Sequence, residues 1–265
     1  MATETEPLRF TAPGGHRLAG VLHHPRAAAG PDDPAARGVL LAHCFTCSKQ
    51  VLTMTRLARG LAEHGYTVLR FDFTGLGESE GEFGTTNVAS GVGDVTAASR
   101  ALRARVPGPQ ALVGHSLGGA AALLAAPDLP EVGSVVTIGT PASPAHLARV
   151  RPDLDALPEG ESTEVVIAGR PFEVERRFLD DLDDHDQQGA VAGLGRPLLV
   201  LHAVDDEVVP IGEGERIFAA ARQPKAFHAL LDTDHLLRDR AGSDRALALV
   251  AGWLDATLAV PATRS

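Results

Sequence analysis

The period of apolar and polar positions changes along the chain, and the change predicts the elements. Residues 8–11 and 18–22 alternate apolar with polar side chains as half-buried strands do, and Pro13-Gly14-Gly15 between them predicts a hairpin turn. Residues 26–37, rich in Pro, Ala, Gly and Asp, predict a loop. Beyond it the alternation gives way to short continuous apolar runs at 38–42, 68–71, 110–113, 132–138, 197–201 and 226–231, a pattern of strands buried on both faces. Helical periods at 54–64, 88–105, 117–126, 213–221 and 244–258 fall between or after these runs. The alternation predicts an α/β architecture, a mainly parallel sheet with helices on both faces.

One interval breaks the rhythm. Residues 141–196 are polar, charged and proline-bearing, with a short hairpin predicted at 165–168 and 171–174 and a carboxylate-rich helical run at 175–184. A long insertion in a compact fold is usually functional or disordered. The expectation is one domain over residues 1–265 with 141–196 as a lid, a solvated surface insertion being the competing reading, and Phe172 and Phe178 are the lid's candidates for lining a substrate cavity. Simple packing within the lid is the competing role for both phenylalanines.

Composition narrows the functions. A formal net charge of −10 over 265 residues offers no basic footprint for nucleic acid and no attraction to anionic membranes. The acidic start, Met1-Ala-Thr-Glu-Thr-Glu, lacks the apolar core of a secretion signal, so the expected address is cytoplasmic. Only Cys44 and Cys47 are present, too few for a disulfide framework, yet their CxxC spacing suits redox chemistry or half a metal site. A zinc site would need two more ligands of the right type, and the notable histidine pair His23-His24 lies in a predicted N-terminal strand, so no metal and no cofactor is expected.

Gly114-His115-Ser116-Leu117-Gly118-Gly119 lies between an apolar run and an Ala/Leu-rich helical run, the strand-turn-helix setting of a Gly-x-Ser-x-Gly nucleophile elbow. Serine needs a base and an orienting acid. In a parallel sheet such groups are sought just after the strands, at their carboxyl ends. Those positions hold His43-Cys44-Phe45, Asp205-Asp206 and Asp232-Thr233-Asp234-His235. The expected roles are Ser116 as nucleophile, His235 as base and Asp206 as orienting acid, with backbone N–H groups of Leu117 and Phe45 as the oxyanion hole.

Together with Asp72-Phe-Thr-Gly75-Leu-Gly77-Glu-Ser79 and Asp206-Glu-Val-Val-Pro210, these motifs resemble the α/β-hydrolase superfamily over almost the whole chain. The stretch from Ala42 to Lys49 resembles the hydrolase part of bacterial proteins fused to an osmotically inducible thiol domain, and more distantly the cinnamoyl and feruloyl esterases. The resemblance implies an eight-stranded, mainly parallel sheet and a serine hydrolase acting on a small, short-acyl carboxylic ester. In the family's acid loop the aspartate stands four residues before the proline, which selects Asp206 over Asp205, and Asp72 resembles its structural aspartate. Cys44 departs from the family's usual glycine after His43.

Other readings stay open on the sequence. Thioesterase and feruloyl-type esterase activities use the same machinery. A strand followed by CxxC and a helix is also a thioredoxin-like context, so thiol redox chemistry at Cys44 and Cys47 competes. A non-catalytic ligand-binding protein on the hydrolase fold is a third possibility.

Overall fold

The computed structural model describes residues 3–25, 36–44, 47–146, 158, 161–167, 170–175, 181–182 and 184–258. The predicted N-terminal hairpin forms from β1 (Thr5–Thr11) and β2 (Arg17–His23), paired antiparallel with Thr11 opposite Arg17. Six strands follow in the main sheet: β3 (Gly38–Ala42), β4 (Thr67–Phe71), β5 (Gln110–His115), β6 (Val132–Ile138), β9 (Leu198–Ala203) and β10 (Lys225–Leu230). Spatial order is β1-β2-β4-β3-β5-β6-β9-β10, with β2 antiparallel to β4 and every later neighbour parallel. This is the eight-stranded sheet that the resemblance implies.

Strand residues point alternately to opposite faces, and the core divides accordingly. Val39, Leu41, Val113, Val136 and Leu201 meet α1 (Leu52–Glu63) and α6 (Arg240–Thr257) through Met54, Leu57, Leu61, Val250 and Leu254. Leu40, Leu69, Leu112, Val135 and Val200 face the other way. There they meet α2 (Val88–Arg103), α3 (Leu117–Ala125), α4 (Gln187–Gly193) and α5 (Ile211–Ala220). Each such Leu or Val contributes about 1.5–3 kcal/mol on leaving water, so both layers need continuous apolar strands, as the sequence has. Among the described residues no helix is long and apolar enough to cross a membrane.

Within 141–196 the predicted hairpin exists as β7 (Ser162–Ile167) and β8 (Arg170–Glu175), a separate antiparallel pair. The helix predicted at 175–184 does not start where expected, because Glu175 pairs with Ser162 at the end of β8. Asp181 and Leu182 are helical; residues 176–180 and 183 lie outside the described residues. Helix α4 was not expected: its sequence has two glycines and no apolar period, and Asp186 starts it by accepting the Gly189 N–H at 2.8 Å. Helix α6 begins at Arg240 rather than near Asp244, since Asp239 caps it by accepting from Gly242 N at 2.6 Å.

Candidate active site

Strand β5 ends at His115, and Ser116 turns the chain into α3 with φ 54° and ψ −127°, a left-handed conformation rare outside glycine. Two glycines make the turn possible. A Cβ on Gly114 would lie 2.4 Å from Gly119 Cα, and one on Gly118 would lie 2.3 Å from the His43 carbonyl oxygen. The Ser116 N–H donates to Ile138 O at 2.9 Å, tying the turn to the end of β6. Leu117 opens α3, where the first N–H groups of a helix have no intrahelical partner. Phe45, the other expected oxyanion donor, lies outside the described residues.

Asp206 follows β9 and His235 follows β10, at the same edge of the sheet. Asp206 is buried whereas Asp205 is exposed. Asp206 Oδ1 accepts from the N–H groups of Val208 (2.9 Å) and Val209 (2.8 Å), and Oδ2 lies 2.7 Å from His235 Nδ1. A carboxylate only accepts, so His235 Nδ1 carries the proton and its Nε2 is left as the basic nitrogen. Burial by itself would raise the Asp206 carboxyl. Its hydrogen bond and charge interaction with His235 and the Val209 and Val208 N–H groups outweigh burial and hold it below the usual range.

Three supporting residues had no assigned place in the sequence reading or only a vague one. His115 precedes the elbow serine; its Nε2–H donates to the His235 carbonyl at 2.7 Å and its ring lies 4.8 Å from the His235 ring. Burial, then the neighbouring His235, lowers the His115 pKa to about 3, so it is a neutral brace. His202 donates from Nε2 to Val209 O at 2.8 Å and sits 3.6 Å from Asp206 Oδ2, and burial lowers its pKa too. Gly139, with φ 54°, lies behind the pair: a Cβ there would be 3.2 Å from His235 Nδ1 and 3.3 Å from Asp206 Oδ2. Its only sequence signal is a glycine directly after a strand.

Since Ser116 is bonded to the end of β6 and His235 is braced by His115 and backed by Gly139, the structure brings Ser116, Asp206 and His235 to one place. Among the described contacts none joins Ser116 Oγ to the imidazole; such bonds commonly tighten only with substrate present. Phe172 lies in β8, and Phe178 is outside the described residues.

Cys44 and Cys47 are joined as a disulfide, with Cys44 4% exposed. Lys49, the cation nearest in sequence to the pair, has its ammonium between Asp72 Oδ2 and Glu78 Oε2 at 2.5 Å each.

A model of the alpha/beta hydrolase family matches residues 39–262, and the chain belongs to that family. The crystal structure of the esterase domain of a Rhodothermus marinus protein is 36% identical, with TM-score 0.77, over 97% of this chain and 100% of that one. YfhR of Escherichia coli is 28% identical over 245 residues, 89% of this chain and 76% of that protein. Est1E of Butyrivibrio proteoclasticus, solved with ferulic acid bound, shares the fold at 17% identity and TM-score 0.77, over 95% of this chain and 99% of that one. Family and relatives support a hydrolase.

Proposed function

We propose that this protein is a serine hydrolase that cleaves carboxylic esters through an acyl-enzyme intermediate. The observation that carries the reading is the 2.7 Å His235–Asp206 hydrogen bond at the same sheet edge as a serine held at φ 54° between β5 and α3. Ser116 Oγ attacks the ester carbonyl while His235 Nε2 takes its proton. Asp206 holds the Nδ1–H tautomer and stabilises the imidazolium. Charge developing on the carbonyl oxygen is met by the N–H groups of Leu117 and Phe45, each contributing about 3 to 4 kcal/mol to the transition state. His235 then protonates the leaving alcohol, and water repeats the sequence to free the acid.

The same reading takes the chain as one domain with 141–196 as its lid, to which Phe172 and Phe178 belong. It is supported by strand β8 lying against the 3-10 turn Phe83–Thr85. The deciding experiment is hydrolysis of p-nitrophenyl butyrate by Ser116→Ala, expected to fall by about 10⁴-fold or more. A fluorophosphonate probe should label wild type at Ser116. Wild-type turnover in the variant ends this reading.

A further inference from the structure

A cavity of about 60 Å³ opens beside the first turn of α3. Its walls come from the segment after β3 (His43), the segment after β4 (Phe73, Leu76), the start of α2 (Val88, Gly91) and α3 (Leu117, Ala121). In the sheet order, β3 and β4 lie on one side of β5, and β9 and β10, which carry Asp206 and His235, lie on the other. The cavity therefore adjoins Leu117 on the flank of Ser116 away from His235.

That placement decides which half of an ester belongs there. His235 must hand a proton to the leaving alcohol, so the alcohol lies on the histidine side and the acyl substituent takes the opposite one.

Polar groups in the wall are already engaged with one another. Asp94 accepts from Thr74 N (2.8 Å) and Thr74 Oγ1 (3.0 Å), and Thr86 Oγ1 donates to Phe83 O (2.7 Å). Asn87 and Ser90 form the capping box that starts α2. What remains for a ligand is apolar contact, and an aliphatic chain satisfies it.

Gly91 is the informative wall residue. It lies inside α2, where glycine costs about 1 kcal/mol relative to alanine. Nothing local demands it: it has no positive φ, and an added Cβ would meet only Ala121 Cβ at 3.9 Å and Phe73 Cε1 at 4.0 Å, ordinary contacts. Gly118 differs, because there a Cβ would run into backbone at 2.3 Å. The side chain missing at Gly91 leaves cavity rather than relieving a clash.

We infer that this cavity receives the acyl chain of the ester and that Gly91 sets its depth. Its apolar walls suit an aliphatic acyl chain, whose length Gly91 limits. The inference rests on the serine-hydrolase reading above.

The test is kcat/KM for p-nitrophenyl acetate, butyrate, hexanoate and octanoate in wild type, Gly91→Ala, Gly91→Leu and Val88→Ala. A methylene in an apolar pocket changes discrimination by about tenfold or more. Gly91→Leu should lower the butyrate-to-acetate ratio by at least about tenfold, Gly91→Ala should lower it less, and Val88→Ala should raise hexanoate relative to butyrate. If Gly91→Leu does not fold, the other two variants decide. An unchanged acyl profile in the folded variants overturns the inference, as does a profile that shifts with the alcohol across methyl, ethyl and benzyl butyrate. Ser116→Ala is assayed alongside: its loss of activity on every ester keeps the hydrolase reading intact even where the pocket assignment fails. Retained activity overturns both.

Discussion

Two buried carboxylates flank the elbow, each held by two backbone N–H groups and one basic side chain. Asp72, directly after β4 and 0% exposed, accepts from Lys49 N (2.6 Å), Glu78 N (2.9 Å) and the Lys49 ammonium (2.5 Å). Asp206, after β9 and 7% exposed, accepts from two backbone N–H groups and from His235 Nδ1. In Asp206 both backbone donors go to Oδ1 and His235 takes Oδ2, whereas in Asp72 Oδ1 accepts from Lys49 N and Oδ2 from both Glu78 N and the Lys49 ammonium. Lysine stays charged at neutral pH and has no spare acceptor, so the Asp72 pair locks the segment after β3 to the segment after β4. Histidine with its Nδ1–H on the carboxylate keeps Nε2 as a free acceptor, which is the position a general base needs. The partner, not the carboxylate, separates an anchor from a candidate catalytic group.

Removing each charge in turn should therefore damage different properties. Asp206→Asn keeps the shape but reverses the hydrogen-bond roles around His235 Nδ1. It is expected to lower kcat for ester hydrolysis by about 10⁴-fold while leaving the urea midpoint nearly in place. A kcat within tenfold of wild type would show that Asp206 is an anchor after all.

Asp72→Asn is the converse. It leaves the Lys49 ammonium, 1% exposed, with only Glu78, whose side chain is 65% exposed and well solvated. Breaking a buried pair on one side costs about 3–5 kcal/mol, to be read from urea unfolding at pH 7, with a smaller loss in kcat. Unchanged stability beside a kcat loss as large as that of Asp206→Asn would erase the distinction between the two sites.

Much of this contrast was legible in the sequence, and what was missed shares a cause. The strand-turn-helix setting of Ser116 and the strand runs are local patterns, and the folded chain keeps them. The resemblance to the family's acid loop, with its aspartate four residues before the proline, selected Asp206, the buried one of the two adjacent aspartates. Gly139 and His202 were not legible as parts of the site, because their importance comes from packing against His235 and Asp206 across neighbouring strands. The ammonium of Lys49, two residues after Cys47, is held by Asp72 and Glu78. The CxxC spacing suggested redox chemistry or half a metal site, and the structure joins the two sulfurs to each other. Helix α4, held by its Asp186 cap, and the strand end at Glu175, held by pairing with Ser162, likewise depend on contacts that a hydrophobic period does not carry.

The smallest effect tests the two histidines nearest these carboxylates. His235 meets its carboxylate at 2.7 Å, while His43 is 4.0 Å from Asp72 and 1% exposed. His43 Nδ1–H donates to Cys44 O at 2.7 Å. Burial lowers its pKa to about 4, outweighing that hydrogen bond and the Asp72 charge, with Lys49 lowering it further. An unfolded chain takes up this proton below about pH 6.5, whereas the folded one does so only near 4. The stabilising contribution is therefore complete above pH 6.5 and is lost as pH falls from there toward 4, by about 2 kcal/mol between pH 7 and pH 5. His115, lowered to about 3 by burial, acts in the same direction. Asp94, raised to about 6 by burial, acts oppositely: its contribution is full below the unfolded carboxyl pKa and fades as pH rises through 6, offsetting part of the acid loss. His43→Asn keeps a donor for the Cys44 carbonyl but removes the titration. Urea unfolding at pH 7 and pH 5 should show the variant losing about 2 kcal/mol less than wild type over that interval. Equal losses in the two proteins would mean that His43 protonates in the fold as readily as in the unfolded chain.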